Sequence, residues 1–357
     1  ASGDGPDETR GRLALLLVQP LRVGLVLAFL LVTLEAIQTS NMRHQRHAHL
    51  DVYYGAERAP GAGFELGTCT VTIPPVHVPG ALEEPSLFAL DLRLDPERHF
   101  WLEAVDPKED AAFYAALDRR LAAAPTRSLF VFVHGFNNSF EYAAFRTAQI
   151  HHDLGFAGAP VFFSWPSQGA FAAYTVDENN VGDAVGDLEA FLDDLVRHAD
   201  ADAIHLVAHS MGSRALTRAV KTLGLKYAPR KVFDELVLAA PDLDAGEFEQ
   251  LAEYLVDSTG RITLYASSKD PAMDVSREFH GGDYPRAGES EPRPVTVPGV
   301  DTIDVSRVSW GHSYIADSGR ILGDLGGILQ EGRELTERIA ERVADDQGVY
   351  WVLGGED

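Results

Sequence analysis

Ala203-Ile204-His205-Leu206-Val207-Ala208-His209-Ser210-Met211-Gly212 is an apolar run that stops at a serine held between small residues and opens a helix. It reads as a strand, a sharp turn and a helix with Ser210 at the apex. Such a turn, the nucleophile elbow, lifts a hydroxyl out of a sheet to where a histidine can deprotonate it and backbone N–H groups can hold an oxyanion. The usual pattern is G-x-S-x-G, and Ala208 replaces its first glycine. Alanine is small enough for the close strand–helix approach. The plain alternative is a serine that only caps the following helix.

Outward from this turn the chain alternates helix and strand. Helices are expected over 111–123, 140–154, 181–198 and 211–223, and strands over 129–133, 161–164, 204–207, 236–239 and 262–266. Continuous apolar strands separated by helices imply a mostly parallel sheet covered on both faces. Sites in such sheets lie at the carboxyl ends of the strands. A last helix is expected over 321–344, packing on the sheet or mediating dimerisation.

A serine needs a base, and the elbow predicts a carboxylate and then a histidine downstream. Asp270, in Ser267-Ser268-Lys269-Asp270-Pro271, follows the second strand after the elbow. Asp242, one strand earlier, is its rival. His312, in Ser309-Trp310-Gly311-His312-Ser313-Tyr314, is the last histidine and the expected base. His280 fits a surface or core role better.

Oxyanion donors are expected from the backbone N–H of Met211 and of Phe136. The latter follows His134-Gly135, where glycine lets the chain turn sharply after a buried strand. His134 is expected to brace this loop and, with His209, to border the substrate pocket. Trp165, Phe171 and Tyr174, between a strand and a long helix, are expected to line an acyl pocket or to pack beneath it. No cap domain is inserted between the strands, which suggests an open site.

With 357 residues and 45% hydrophobic content, the chain can bury a substantial core. Its formal charge of −24 disfavours nucleic acid and anionic lipid as general partners. A single cysteine, Cys69, excludes an internal disulfide and a Cys-rich zinc site. Neither a cofactor nor a metal is expected. Residues 13–34 are apolar in two runs and follow or enclose Arg10, Arg12 and Arg22, which suits a signal-peptide core or membrane anchor. Export or envelope attachment is therefore expected, with a buried helix in a cytoplasmic protein as the alternative. His44, His47 and His49 then fall in a polar link. Four parts follow: a leader and link over 1–50, a strand-and-loop extension over 51–106, a catalytic domain over 107–345 and a tail over 346–357.

The motifs together resemble an α/β-hydrolase of the bacterial DUF900 group, described as esterase/lipase-superfamily enzymes of unassigned function. The matching pieces include Asp51-Val52-Tyr53-Tyr54-Gly55, Val71-Thr72-Ile73-Pro74-Pro75-Val76-His77, Val133-His134-Gly135-Phe136-Asn137, Phe163-Ser164-Trp165-Pro166-Ser167, Ala208-His209-Ser210-Met211-Gly212 and Gly311-His312-Ser313. The resemblance implies the α/β-hydrolase fold and supports Ser210, Asp270 and His312 as a triad. The expected activity is hydrolysis of a small-molecule acyl ester. Thioesterase, amidase and acyltransferase chemistry share the same intermediate, and a non-catalytic interaction protein on this scaffold is the competing class.

Overall fold

The computed structural model describes residues 47–85, 94–168, 174–282, 284–309, 311–338 and 340–354. The described residues from 49 onward form one compact unit. The leader at 13–34 and Phe171 lie outside the described residues. Among the described residues no helix is long and apolar enough to cross a membrane.

The strands are β1 (Ala48–Glu57), β2 (Phe64–Ile73), β3 (Trp101–Lys108), β4 (Ser128–Val133), β5 (Ala159–Ser164), β6 (Ala203–His209), β7 (Phe233–Ala239), β8 (Thr259–Ala266), β9 (Asp301–Asp304), β10 (Ala340–Asp345) and β11 (Gly348–Leu353). They make one sheet in the order β10-β11-β9-β8-β7-β6-β4-β5-β1-β2-β3. From β1 through β5, β4, β6, β7 and β8 to β9 every pairing is parallel. The antiparallel pairs β2–β3 and β10–β11 close the two ends.

The helices are α1 (Asp110–Ala123), α2 (Phe140–Leu154), α3 (Tyr174–Asp183), α4 (Val185–His198), α5 (Gly212–Tyr227), α6 (Ala245–Ser258), α7 (Pro271–Phe279), α8 (Tyr314–Asp317) and α9 (Gly319–Glu331). Strand side chains alternate between two faces. Leu129, Val131 and Val133 of β4 therefore join one core with α1, α4, α5 and α6. Phe130 and Phe132 are equally buried on the other face. Both faces being dry explains the unbroken apolar strands.

The chain reverses its direction across the sheet at β4, which lies between β5 and β6. The α2 connection runs to one side and the α3–α4 connection returns to the other. This switch point leaves a crevice beyond the carboxyl ends of β4 and β6, where His134-Gly135-Phe136 and Ser210 emerge.

Two expected elements differ. The helix expected over 321–344 ends at Glu331, where Gly332 takes a left-handed conformation (φ 60°) and stops it as a C-terminal glycine does. The chain continues into the β10–β11 hairpin, so the segment set aside as a tail carries β11, which pairs with β9 on one side and with the edge strand β10 on the other. The single helix expected over 181–198 is divided into α3 and α4 around Ala184.

Candidate active site

Ser210 sits at φ 53°, a left-handed backbone that a non-glycine residue adopts only at a cost. The surroundings hold it there: its N–H donates to Ala239 O at 2.9 Å, and its carbonyl accepts from Ser213 N at 3.0 Å and Asp242 N at 3.2 Å. Two glycines make the turn sterically feasible. A Cβ on Gly212 would fall 2.3 Å from His134 O, and one on Gly135 would fall 2.8 Å from Ser210 Cβ. The loop after β4 and the elbow after β6 are thus pressed together, and Phe136 and Met211 follow directly on each. The first turn of a helix leaves its N–H groups without intrahelical partners, so the start of α5 is suited to hold negative charge.

Asp270 is nearly fully buried and does two things at once. Its Oδ1 accepts the Ala272 N–H at 3.0 Å and caps α7, with Pro271 in the first turn. Its Oδ2 accepts from His312 Nδ1 at 2.7 Å. That contact fixes the imidazole tautomer and leaves Nε2 for proton exchange. The His312 side chain is 26% exposed, so this edge reaches solvent.

His209 ties the base to the elbow. Its Nε2–H donates to the His312 carbonyl at 2.9 Å, and the two rings lie 4.5 Å apart. Burial, with His312 beside it, holds His209 neutral, far below the usual histidine range. His134 is an internal brace. Its Nε2 accepts the Trp165 N–H at 3.1 Å, so Nδ1 carries the hydrogen and donates to Gly135 O at 2.9 Å. Trp165 stacks on this ring and returns its indole N–H to His134 O at 2.8 Å. Burial drives His134 down to about 4. His134, His209 and Trp165 are thus buried within the walls, where they hold the loops together.

Asp242, the rival acid, is engaged elsewhere. Its carboxylate accepts from Tyr174 OH at 2.6 Å and Ser276 Oγ at 2.5 Å, and pairs with Arg214 at 3.2 Å. Burial alone would raise its pKa; Arg214 and these two hydroxyls carry it below the usual range. Arg214 also meets Glu178 at 2.5 Å, and Glu178 meets His280 Nε2 at 2.7 Å. This network fastens α3, the elbow helix α5 and the acid-bearing α7 together. Arg214 went unread in the sequence, although its position one turn beyond Ser210 is the available signal.

Tyr174 carries the apolar side of the site. Phe136 meets its ring edge-on at 5.3 Å, and Phe279 stacks on it at 5.0 Å. Phe279 is 52% exposed and was not singled out in the sequence. By contrast, an open cavity of about 830 Å³ lined by Ser128, His205, Asp234 and Glu331 lies at the amino-terminal edge of the sheet. The length of β4 separates it from Ser210, at roughly 3.3 Å per residue.

Fold and site define an α/β-hydrolase. Residues 109–323, more than half of the chain, match the family described as an α/β hydrolase of unknown function (DUF900), and the chain belongs to it. No curated protein matches the chain. Similar solved structures include an uncharacterised protein from Bacillus cereus (13% identity, TM-score 0.40, covering 59% of this chain and 62% of that one). The esterase Pf2001 of Pyrococcus furiosus is 10% identical over 82% of this chain and 94% of its own, with a TM-score of 0.37. XC6422 of Xanthomonas campestris, described as an α/β serine hydrolase without a lid, is 15% identical over 80% and 93%, with a TM-score of 0.36. The chain spans 62% of the Bacillus cereus protein.

Proposed function

We propose that this hydrolase cleaves carboxylic esters through an acyl-enzyme on Ser210, with His312 as base and Asp270 as its orienting acid. The 2.7 Å contact between His312 Nδ1 and Asp270 carries the reading, because it joins the two residues expected on independent loops. Ser210 Oγ attacks the acyl carbonyl while His312 Nε2 takes its proton. The N–H groups of Phe136 and Met211 receive the oxyanion. The imidazolium, stabilised by Asp270, then protonates the departing alkoxide. Water, deprotonated by the same nitrogen, attacks the acyl-enzyme and frees the acid and Ser210.

An aromatic border of Phe136, Tyr174 and Phe279 suits an acyl group accepted from an open surface. The test is turnover of a p-nitrophenyl acyl ester series beside matched thioesters and anilides. Faster acyl transfer from the oxygen esters, with products split by water, supports the reading. Preference for an added alcohol as acceptor would make the protein an acyltransferase, and preference for anilides an amidase. Residues 13–34, with arginines before them, are proposed as an export signal or anchor. Recovery of the full chain solely in the soluble cytoplasmic fraction of its host would overturn that assignment.

A further inference from the structure

We propose that His77, His152 and Asp153 form a binding site for a divalent cation of the zinc type, with Glu83 as the outer carboxylate that orients His77. Nothing in this proposal depends on the hydrolase chemistry. His152 and Asp153 stand at the end of α2, and His77 comes from the loop after β2. One ligand atom from each lies within 4.8 Å of the others. Two imidazoles and one carboxylate are the donor types that zinc favours, and three protein ligands plus water complete a tetrahedron.

The surrounding bonds aim the donors. Glu83 Oε2 lies 2.8 Å from His77 Nδ1 and fixes the ring, turning Nε2 toward Asp153 Oδ1 at 2.7 Å. A carboxylate behind the distal nitrogen of a histidine is the usual outer arrangement of a zinc ligand. Asp153 is held by its other oxygen, Oδ2, which accepts from Gly80 N at 2.9 Å and Gln149 Nε2 at 3.2 Å. Oδ1 thus faces His77. An ion bonded to both at about 2.0–2.2 Å would replace the shared proton and open the pair to roughly 3.3 Å. Phe100 closes one side of His77, with ring centroids 5.3 Å apart, while exposed His152 gives the ion its entry and water its place.

The consequence is mechanical. The ion would pin the loop carrying His77 and Gly80 to α2. A Cβ on Gly80 would stand 3.2 Å from Asp317 O, at the end of α8, the short helix that begins just after His312. The site therefore braces the segment that presents the proposed base.

The test uses the untagged full chain after chelator treatment, titrated with Zn²⁺ by calorimetry and with Co²⁺ by visible absorption. The expected result is a single equivalent bound, tetrahedral Co²⁺ bands and a raised thermal midpoint. His152→Ala, at an exposed position, should weaken binding at least about tenfold, and Glu83→Gln by about 10–100-fold. Replacing His44 and His47 together should leave it unchanged. No binding by the parent chain, or binding that survives His152→Ala, would overturn the proposal.

Discussion

Asp270 shows how one side chain serves two masters: its Oδ1 caps α7 and its Oδ2 holds His312. Helix capping and orientation of the base each take one oxygen of the same carboxylate. The two roles separate by substitution. Asp270→Asn keeps a good capping group but presents the wrong partner to His312 Nδ1, so kcat should fall by about 10⁴-fold with the melting temperature nearly kept. Asp270→Ala should lose as much activity and about 1 kcal/mol of stability besides. Equal stability losses in both variants, or near-normal kcat in Asp270→Asn, would contradict this division. The contact between Asp270 and His312 was legible because one residue follows a strand and the other leads into a helix, in a fixed order after Ser210. Asp242 was harder, since a carboxylate's role depends on which cation the fold brings to it, and Arg214 reaches it only through the geometry of α5.

At the scale of elements, the loop after β4 is the part most dependent on a neutral histidine. His134 has a folded pKa of about 4 against an ordinary 6.5. Above about pH 6.5 the unfolded and folded forms are both neutral and the bracing is fully present. As pH falls through 6.5 toward 4, the unfolded chain takes up a proton that the fold refuses, and stability declines. At about 1.4 kcal/mol per unit, this share reaches about 3 kcal/mol. Urea unfolding from pH 7 to pH 4 should show a smaller loss in His134→Gln than in the parent; an identical loss would dismiss His134 as its source. The bracing role of this loop was readable from a histidine and glycine after a buried strand. The C-terminal hairpin was not, because Glu and Arg at 331–342 have good helix propensity. Only Gly332 and the alternation of Val349, Trp351 and Leu353 signal the change of period.

For the whole molecule, the question is how the outer strands are fastened to the parallel centre. Arg338, fully buried just before β10, grips Asp324 of α9 through Nε at 2.7 Å and through Nη2, and donates to Tyr265 OH at 3.2 Å. Burial alone would lower its basicity, and Asp324 more than restores it. Arg338→Ala leaves Asp324 buried without its cation, with only the Tyr265 hydroxyl still donating to it, and should cost about 3–5 kcal/mol in chemical unfolding. A loss below 1 kcal/mol would show that the hairpin holds by backbone pairing alone. The parallel centre was legible in the alternation of the sequence; the C-terminal antiparallel margin was not, since edge strands need not be apolar on both faces. The central claim rests on the crevice beyond the carboxyl ends of β4 and β6. Treating the full chain with a fluorophosphonate and mapping the adduct by mass spectrometry tests it most directly. The account predicts a single phosphonylated residue, Ser210, with labelling abolished in Ser210→Ala and strongly slowed in His312→Ala. An unlabelled Ser210, or equal labelling of the Ser210→Ala chain, would contradict it.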